Sequence, residues 1–160
     1  MVQQHADPQS MPVRHIMTGN PITVEPDVTV ERIMGLMREA SIRHIPVVDD
    51  RGIVGIVSNR DLAFIHGLPG VIDGLDESSI DEALEAPVAA VMKSRFLIDR
   101  DVVTIDRDAP LEKAVNQLVA TKLGALPVVD GDENLVGIIT PVDVMRWVAD
   151  DVIAGAGDVG

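Results

Sequence analysis

Ile45-Pro46-Val47-Val48-Asp49-Asp50-Arg51-Gly52-Ile53-Val54-Gly55-Ile56-Val57-Ser58-Asn59-Arg60-Asp61 is a phrase this chain states twice. The second version is Leu126-Pro127-Val128-Val129-Asp130-Gly131-Asp132-Glu133-Asn134-Leu135-Val136-Gly137-Ile138-Ile139-Thr140-Pro141-Val142-Asp143. Pro127 lies 81 residues after Pro46, and Gly137, Thr140 and Asp143 lie 82 after Gly55, Ser58 and Asp61. That period is too long for a solenoid unit and too short for two ordinary domains. It predicts two half-domains packed by pseudo-twofold symmetry, with clefts between equivalent surfaces where ligands bind.

Each phrase reads as two strands around a turn. Ile45 to Val48 and Ile53 to Val57 are apolar runs, the second buried on both faces. Asp49-Asp50-Arg51-Gly52 is the turn, since Gly tolerates positive φ and Asp bonds its own backbone. Before it, Val30, Ile33, Met34 and Met37 fall on one stripe of an amphipathic helix that Asp27 or Thr29 caps. Ile22 to Val24 is a short strand candidate between Pro21 and Pro26, and Ser58 opens a helix toward Ile65. The second unit repeats the order. Val102 to Ile105 is a strand. Asp108 caps a helix with stripe Leu111, Ala114, Val115, Leu118 and Val119. Leu126–Val129 and Leu135–Ile139 are paired strands, and Thr140 opens a helix ending near Asp150. The fold class is therefore α/β (α+β): two βαββα repeats, with short sheets covered by helices.

The expected organisation is a flexible leader over 1–11, with Pro12 to Met17 a helical lead-in to a first repeat over 12–66. A Gly- and Asp-rich connector covers 67–77, a second repeat 78–150 and a flexible tail 151–160. Residues 78–92 include a short helix interrupted near Pro87. The repeats differ at Lys93 to Asp101, an extra loop, and in a strand–strand turn one residue longer in the second.

Composition narrows the function. The chain has 160 residues, no cysteine and only three aromatic residues, Phe64, Phe96 and Trp147. No disulfide or thiolate chemistry is available. A net charge of −13 argues against a nucleic-acid surface. Six carboxylates and no base fall in residues 73–85, while Arg43, His44, Arg51 and Arg60 cluster near the first phrase. No apolar run approaches the roughly 20 residues that cross a bilayer. The first ten residues lack the pattern of a signal peptide, and a cytoplasmic location is expected. His5, His15, His44 and His66 have no metal-ligand spacing, so no metal is expected. There is no nucleophile elbow, Walker loop or dinucleotide fingerprint, and the expectation is a protein without catalysis.

The chemistry sits where a buried strand passes into a helix, at Ser58-Asn59-Arg60-Asp61 and Thr140-Pro141-Val142-Asp143. A helix start presents free N–H groups that suit phosphate, and the hydroxyl adds a bond. A carboxylate one turn later can accept both hydrogens of a ribose cis-diol. The same spacing also makes a capping box, with hydroxyl and carboxylate satisfying backbone N–H groups. Both readings stand on the spacing; the repetition in two similar units is what favours a ligand.

The phrase Ile/Leu-Pro-Val-Val-Asp, a turn, then Gly-hydrophobic-hydrophobic-Ser/Thr-x-x-Asp, twice in order, resembles a tandem pair of cystathionine β-synthase (CBS) domains, a Bateman module. The resemblance covers about residues 12–150 and is to the stand-alone prokaryotic kind. It implies two clefts that bind adenosine-containing ligands: AMP, ADP or ATP, or in some members S-adenosylmethionine or NAD. No cofactor is required. One cleft would join Ile22, Thr23, Arg43, His44, Ile45 and Pro46 to Thr140 and Asp143. The other would join Val103, Thr104, Gly124, Ala125, Leu126 and Pro127 to Ser58, Arg60 and Asp61. Asp61 and Asp143 would hold ribose, Ser58 and Thr140 would reach phosphate, and the first strands with the Ile/Leu-Pro segments would line adenine.

The two clefts differ. The second has small Gly124 and Ala125 and the guanidinium of Arg60, and is expected to bind nucleotide better. The first has Pro141, which removes one N–H. The resemblance implies a regulatory sensor that passes its bound state to a partner protein of unknown identity, and a homodimer stacked through helices. Met34, Met37, Met145 and Trp147 would supply that face, unless they are buried in the monomer. The alternatives are a ligand-free dimeric interaction module, or an accessory subunit of an enzyme or transporter.

Overall fold

The computed structural model describes residues 7–63, 77–90 and 102–153. The chain divides into two units, Ile22–Val102, and Met1–Pro21 with Val103–Gly160. A 3-10 turn, Val13–His15, leads to β1 (Thr18–Gly19), α1 (Val30–Glu39), β2 (His44–Asp49), β3 (Gly52–Ser58), α2 (Asn59–Ala63) and α3 (Glu77–Glu85). Then follow β4 (Ile105–Asp106), α4 (Leu111–Thr121), β5 (Leu126–Val129), β6 (Leu135–Ile139) and α5 (Pro141–Trp147), which runs into a π-helical turn over Val148–Ile153.

In the Ile22–Val102 unit, β2 and β3 form an antiparallel hairpin from His44↔Ser58 to Asp49↔Gly52. The turn closes as the sequence dictates. Asp49 accepts from the Arg51 N–H at 2.8 Å, and Gly52 takes φ 112°. Val24 makes a single parallel bridge to Val47. The expected strand over Ile22–Val24 shrinks to that residue, because Pro21 and Pro26 on either side supply no N–H to a ladder. Thr29, one of the two expected caps, accepts from the Arg32 N–H at 3.3 Å. Val30, Ile33 and Met37 then turn inward onto Ile45, Val47 and Val57. The helix ends at Glu39, and Ser41 just beyond its cap is held left-handed at φ 54°. Ile33, Ile45 and Val47 are fully buried, each stabilising the fold by roughly 1.5–3 kcal/mol.

The second unit repeats this frame. β5 and β6 pair antiparallel from Leu126↔Ile139, and the register slips between Val128 and Val129, as it does between Val47 and Val48 in the first hairpin. β4 runs parallel to β5 with Ile105 opposite Val128. The strand lies at Ile105–Asp106 rather than over Val102–Ile105. Leu111, Ala114 and Leu118 are the buried face of α4, which ends at left-handed Lys122, φ 53°. Asp108 does not cap α4; the cap residue is Pro110, and Asp108 is ion-paired with Arg14. Val119 leaves the expected stripe and is 72% exposed.

The segment preceding Pro21 packs with this second unit, not with the repeat it adjoins in sequence. β1 adds to the sheet beside β6, giving the order β1-β6-β5-β4. Val13 is fully buried in a core with Leu111, Leu126, Ile139 and Trp147. Its N–H bonds the Ala109 carbonyl at 2.9 Å, and Arg14 bonds that of Arg107 at 2.9 Å. Ordered contacts begin inside the stretch read as a leader: Pro8 and Met11 carbonyls accept from Glu112 and Leu111. Gly137 makes the close approach of β1 feasible. A Cβ there would run into the Met17 Sδ and lie 3.0 Å from the Thr18 carbonyl oxygen. Helix α3 stops before Pro87, as expected. Most of the expected connector, the loop over Lys93 to Asp101 and residues 154–160 of the tail lie outside the described residues.

Candidate functional site

Both Ser/Thr-x-x-Asp corners fold into capping boxes. At the first, Asp61 Oδ2 accepts from the Ser58 N–H and the Ser58 hydroxyl, each at 2.8 Å. The Asp61 N–H donates to Ser58 Oγ at 3.2 Å. At the second, Asp143 Oδ2 accepts from the Thr140 N–H at 2.8 Å and the Thr140 hydroxyl at 2.9 Å. The Asp143 N–H donates to Thr140 Oγ1 at 3.3 Å. Each carboxylate is thus turned by its own helix start, with Oδ2 holding the cap. α2 is described as far as Ala63, and α5 continues into the π-helical turn over Val148–Ile153.

The corners are alike in cap and unlike in surroundings. Asp143 is buried at 8% exposure, and its Oδ1 accepts from the Thr18 hydroxyl at 3.2 Å. Arg146 Nη1 stands 4.0 Å from the same oxygen. Asp61 is half-buried. His44 is paired across the ladder with Ser58, and burial lowers its pKa below the ordinary 6.5. The Asp61 carboxylate opposes that shift, while the Arg43 and Arg60 charges add to it. At the position matching His44, the second unit has buried Ala125.

The expected site residues fall into two groups. Ile22, Thr23, Arg43, His44, Ile45, Pro46, Ser58, Arg60 and Asp61 belong to the Ile22–Val102 unit, and Val103, Thr104, Gly124, Ala125, Leu126, Pro127, Thr140 and Asp143 to the other. Each expected cleft therefore draws on both units. Ile22, Thr23, Arg43, Arg60 and Gly124 are exposed, and His44, Val103 and Thr104 half-buried. The side chains of Ile45 and Leu126 lie in the two cores, fully buried. Their backbones are what they can offer a ligand. Within each unit the start of one strand faces the end of its partner, so His44 meets Ser58 although sequence reading assigns them to different clefts.

Grooves flank helices in both units, and one of them reaches the first corner at Asn59. One, about 380 Å³, lies among Met34, Arg38, Ile42, Asn59 and Ala63; the other, about 470 Å³, lies between Val103 and the Lys113–Gln117 side of α4. Of the residues read as a stacking face, Met37 and Trp147 are buried and Met34 is half-buried. Met145 is 66% exposed, and it is joined by two residues that sequence reading missed, Val119 and Val142. Val119 sits in an apolar stripe, and only the packing of α4 shows that it points outward. Among the described residues no cluster of His, Cys, Asp and Glu could hold a metal, and no helix is long and apolar enough to cross a membrane.

The duplicated hairpin-and-corner frame is that of a CBS-domain pair. The CBS domain family model matches residues 13–73 and 88–150, and the chain belongs to that family. The crystal structure of CBSX2 in complex with AMP is 29% identical, with a TM-score of 0.65 over 86% of this chain and 96% of that one. The structure of an acetoin utilization protein, AcuB, from Vibrio cholerae is also 29% identical, with a TM-score of 0.69 over 94% of this chain and 98% of that one. Inosine-5′-monophosphate dehydrogenase of Aquifex aeolicus is 30% identical over 131 residues, which is 81% of this chain. The chain spans 23% of that enzyme's length.

Proposed function

We propose that this protein is a regulatory sensor that binds an adenosine-containing ligand of the AMP, ADP or ATP class in clefts between its two CBS repeats. The observation that carries this reading is the recurrence of one corner, hydroxyl and carboxylate locked by a cap, at matching positions of both units. A cap alone does not need the repetition. The likeness to CBSX2, solved with AMP, supports an adenine nucleotide. Asp61 and Asp143 hold ribose through Oδ1, Ser58 and Thr140 lie toward phosphate, and Arg60 strengthens the Asp61 site. The first strands and the Ile45-Pro46 and Leu126-Pro127 backbones line the base. The module works by differential affinity for two arrangements and passes the result to a partner protein, without catalysis of its own.

Isothermal titration with AMP, ADP, ATP, NAD and S-adenosylmethionine tests the reading. Binding of at least one adenine nucleotide is expected; silence from the whole panel at millimolar ligand contradicts it.

A second reading follows from the exposed apolar side chains Val119, Val142 and Met145 on α4 and α5. Scattered apolar exposure is ordinary, but three such residues on neighbouring helices suit a contact with a second copy. The protein is then a homodimer in the cytoplasm, as a sensor or as an interaction module or accessory subunit of an enzyme. Light scattering checks this: a mass near twice 17.1 kDa is expected, falling toward 17.1 kDa in a V119K/M145K double variant.

A further inference from the structure

We propose that Thr18 sets the ribose affinity of the Asp143 site by competing with the ligand for the carboxylate, an inference that rests on the ribose reading above. Nothing in the repeated motif points to Thr18, which reaches the site only because β1 crosses over to the sheet of the second unit. Its hydroxyl donates to Asp143 Oδ1 at 3.2 Å. A carboxylate oxygen accepts two hydrogen bonds at most with good geometry. Oδ2 already holds two donors, the N–H and hydroxyl of Thr140. Oδ1 holds Thr18 and has Arg146 at 4.0 Å. A ribose cis-diol brings two O–H donors. Oδ1 has room for one; the second must take the place of Thr18.

The alternative role, orienting the carboxylate, is already filled. The Thr140 N–H and hydroxyl, both donating to Oδ2, fix the side chain without help from β1. The Thr18 hydroxyl is therefore surplus to orientation and is held where it is by its own strand. Thr18 pairs with Ile138 and Gly19 with Gly137, and the absence of a Cβ at Gly137 leaves the space that Met17 and the Thr18 backbone occupy. Thr18 is itself exposed, so its displaced hydroxyl finds water at little cost.

The test is titration of AMP and of 2′,3′-dideoxy-AMP, which lacks the diol, into wild type, T18V, T18S and D143N. Valine keeps the branched shape and removes the donor. T18V is expected to bind AMP about fivefold tighter, the equivalent of one modest hydrogen bond. It is expected to bind the dideoxy compound as wild type does, and T18S is expected to restore wild-type AMP binding. T18A removes the same donor and gives the same gain if T18V does not fold. Equal or weaker AMP binding by T18V, or an equal gain with the dideoxy compound, overturns the inference while the sensor reading stands; AMP binding that D143N leaves unchanged overturns the inference together with the ribose role of Asp143. No adenine nucleotide binding by wild type or T18V overturns both.

Discussion

The Ser58–Asp61 and Thr140–Asp143 corners share a cap and differ in everything around it. Asp143 sits at 8% exposure with its second oxygen met by a hydroxyl from a distant segment. Asp61 sits half-buried near His44, a histidine that also feels the charges of Arg43 and Arg60. The cap fixes where each carboxylate points. The neighbours decide what it does there. The first segment of the chain makes the difference at Asp143, and β2 makes it at Asp61. Duplication supplied two copies of one corner, and the elements packed against them have made them unequal.

The largest way to disturb that inequality is at the seat of β1. Ala in place of Gly137 puts a methyl into Met17 and close to the Thr18 carbonyl. G137A is expected to cost about 1–3 kcal/mol by overpacking, or to expel β1 from the sheet. Urea denaturation measures the loss, and a stability equal to wild type breaks the account of why the segment before Pro21 packs with the second unit.

A smaller effect compares the caps themselves. D143A leaves the Thr140 N–H and hydroxyl without their acceptor, and D61A does the same to Ser58; Asp143 is the buried carboxylate of the two and Asp61 the half-buried one. Each loses about 0.5–2 kcal/mol as a cap, and D143A is expected at the upper end because it empties the more buried of the two side-chain positions. Equal costs from the two variants erase the difference in burial on which the comparison rests.

The smallest effect is one of pH, and it belongs to one unit only. Burial holds His44 below 6.5, so in the folded chain the imidazole stays neutral where the unfolded chain takes up a proton. The unfolded state then binds more protons in the window from 6.5 down to the folded pKa, and stability falls as pH drops through it and is flat above. Melting temperature followed from about pH 8 to about pH 5 is expected to decline less steeply in H44Q than in wild type. An unchanged slope removes His44 from the acid response. Ala125, at the matching place in the other unit, has no proton to exchange.

Much of the frame was legible in the sequence because it follows from local chemistry. The stripe of Val30, Ile33 and Met37, the Asp49–Gly52 turn and the two capping boxes depend on residues within a few positions of one another. The parts that were not legible are long-range. Val13 carries nothing that assigns it to a core with Leu111 and Trp147 rather than to the repeat it adjoins. Asp108 has the right spacing to cap α4, and the competing Arg14 comes from the other end of the chain. Val119 fits an apolar stripe and faces outward. Thr18 was invisible for the same reason: its role depends on β1 being carried to β6. Gly137 was the one clue, since a buried glycine in a strand often marks a close approach of another backbone.

Titration of AMP into wild type, D61A and D143A measures the central claim most directly. Two unequal binding events are expected in wild type, with one lost in each variant and the tighter lost in D61A. Identical isotherms from all three proteins contradict the assignment of these carboxylates to ribose and leave the corners as caps alone.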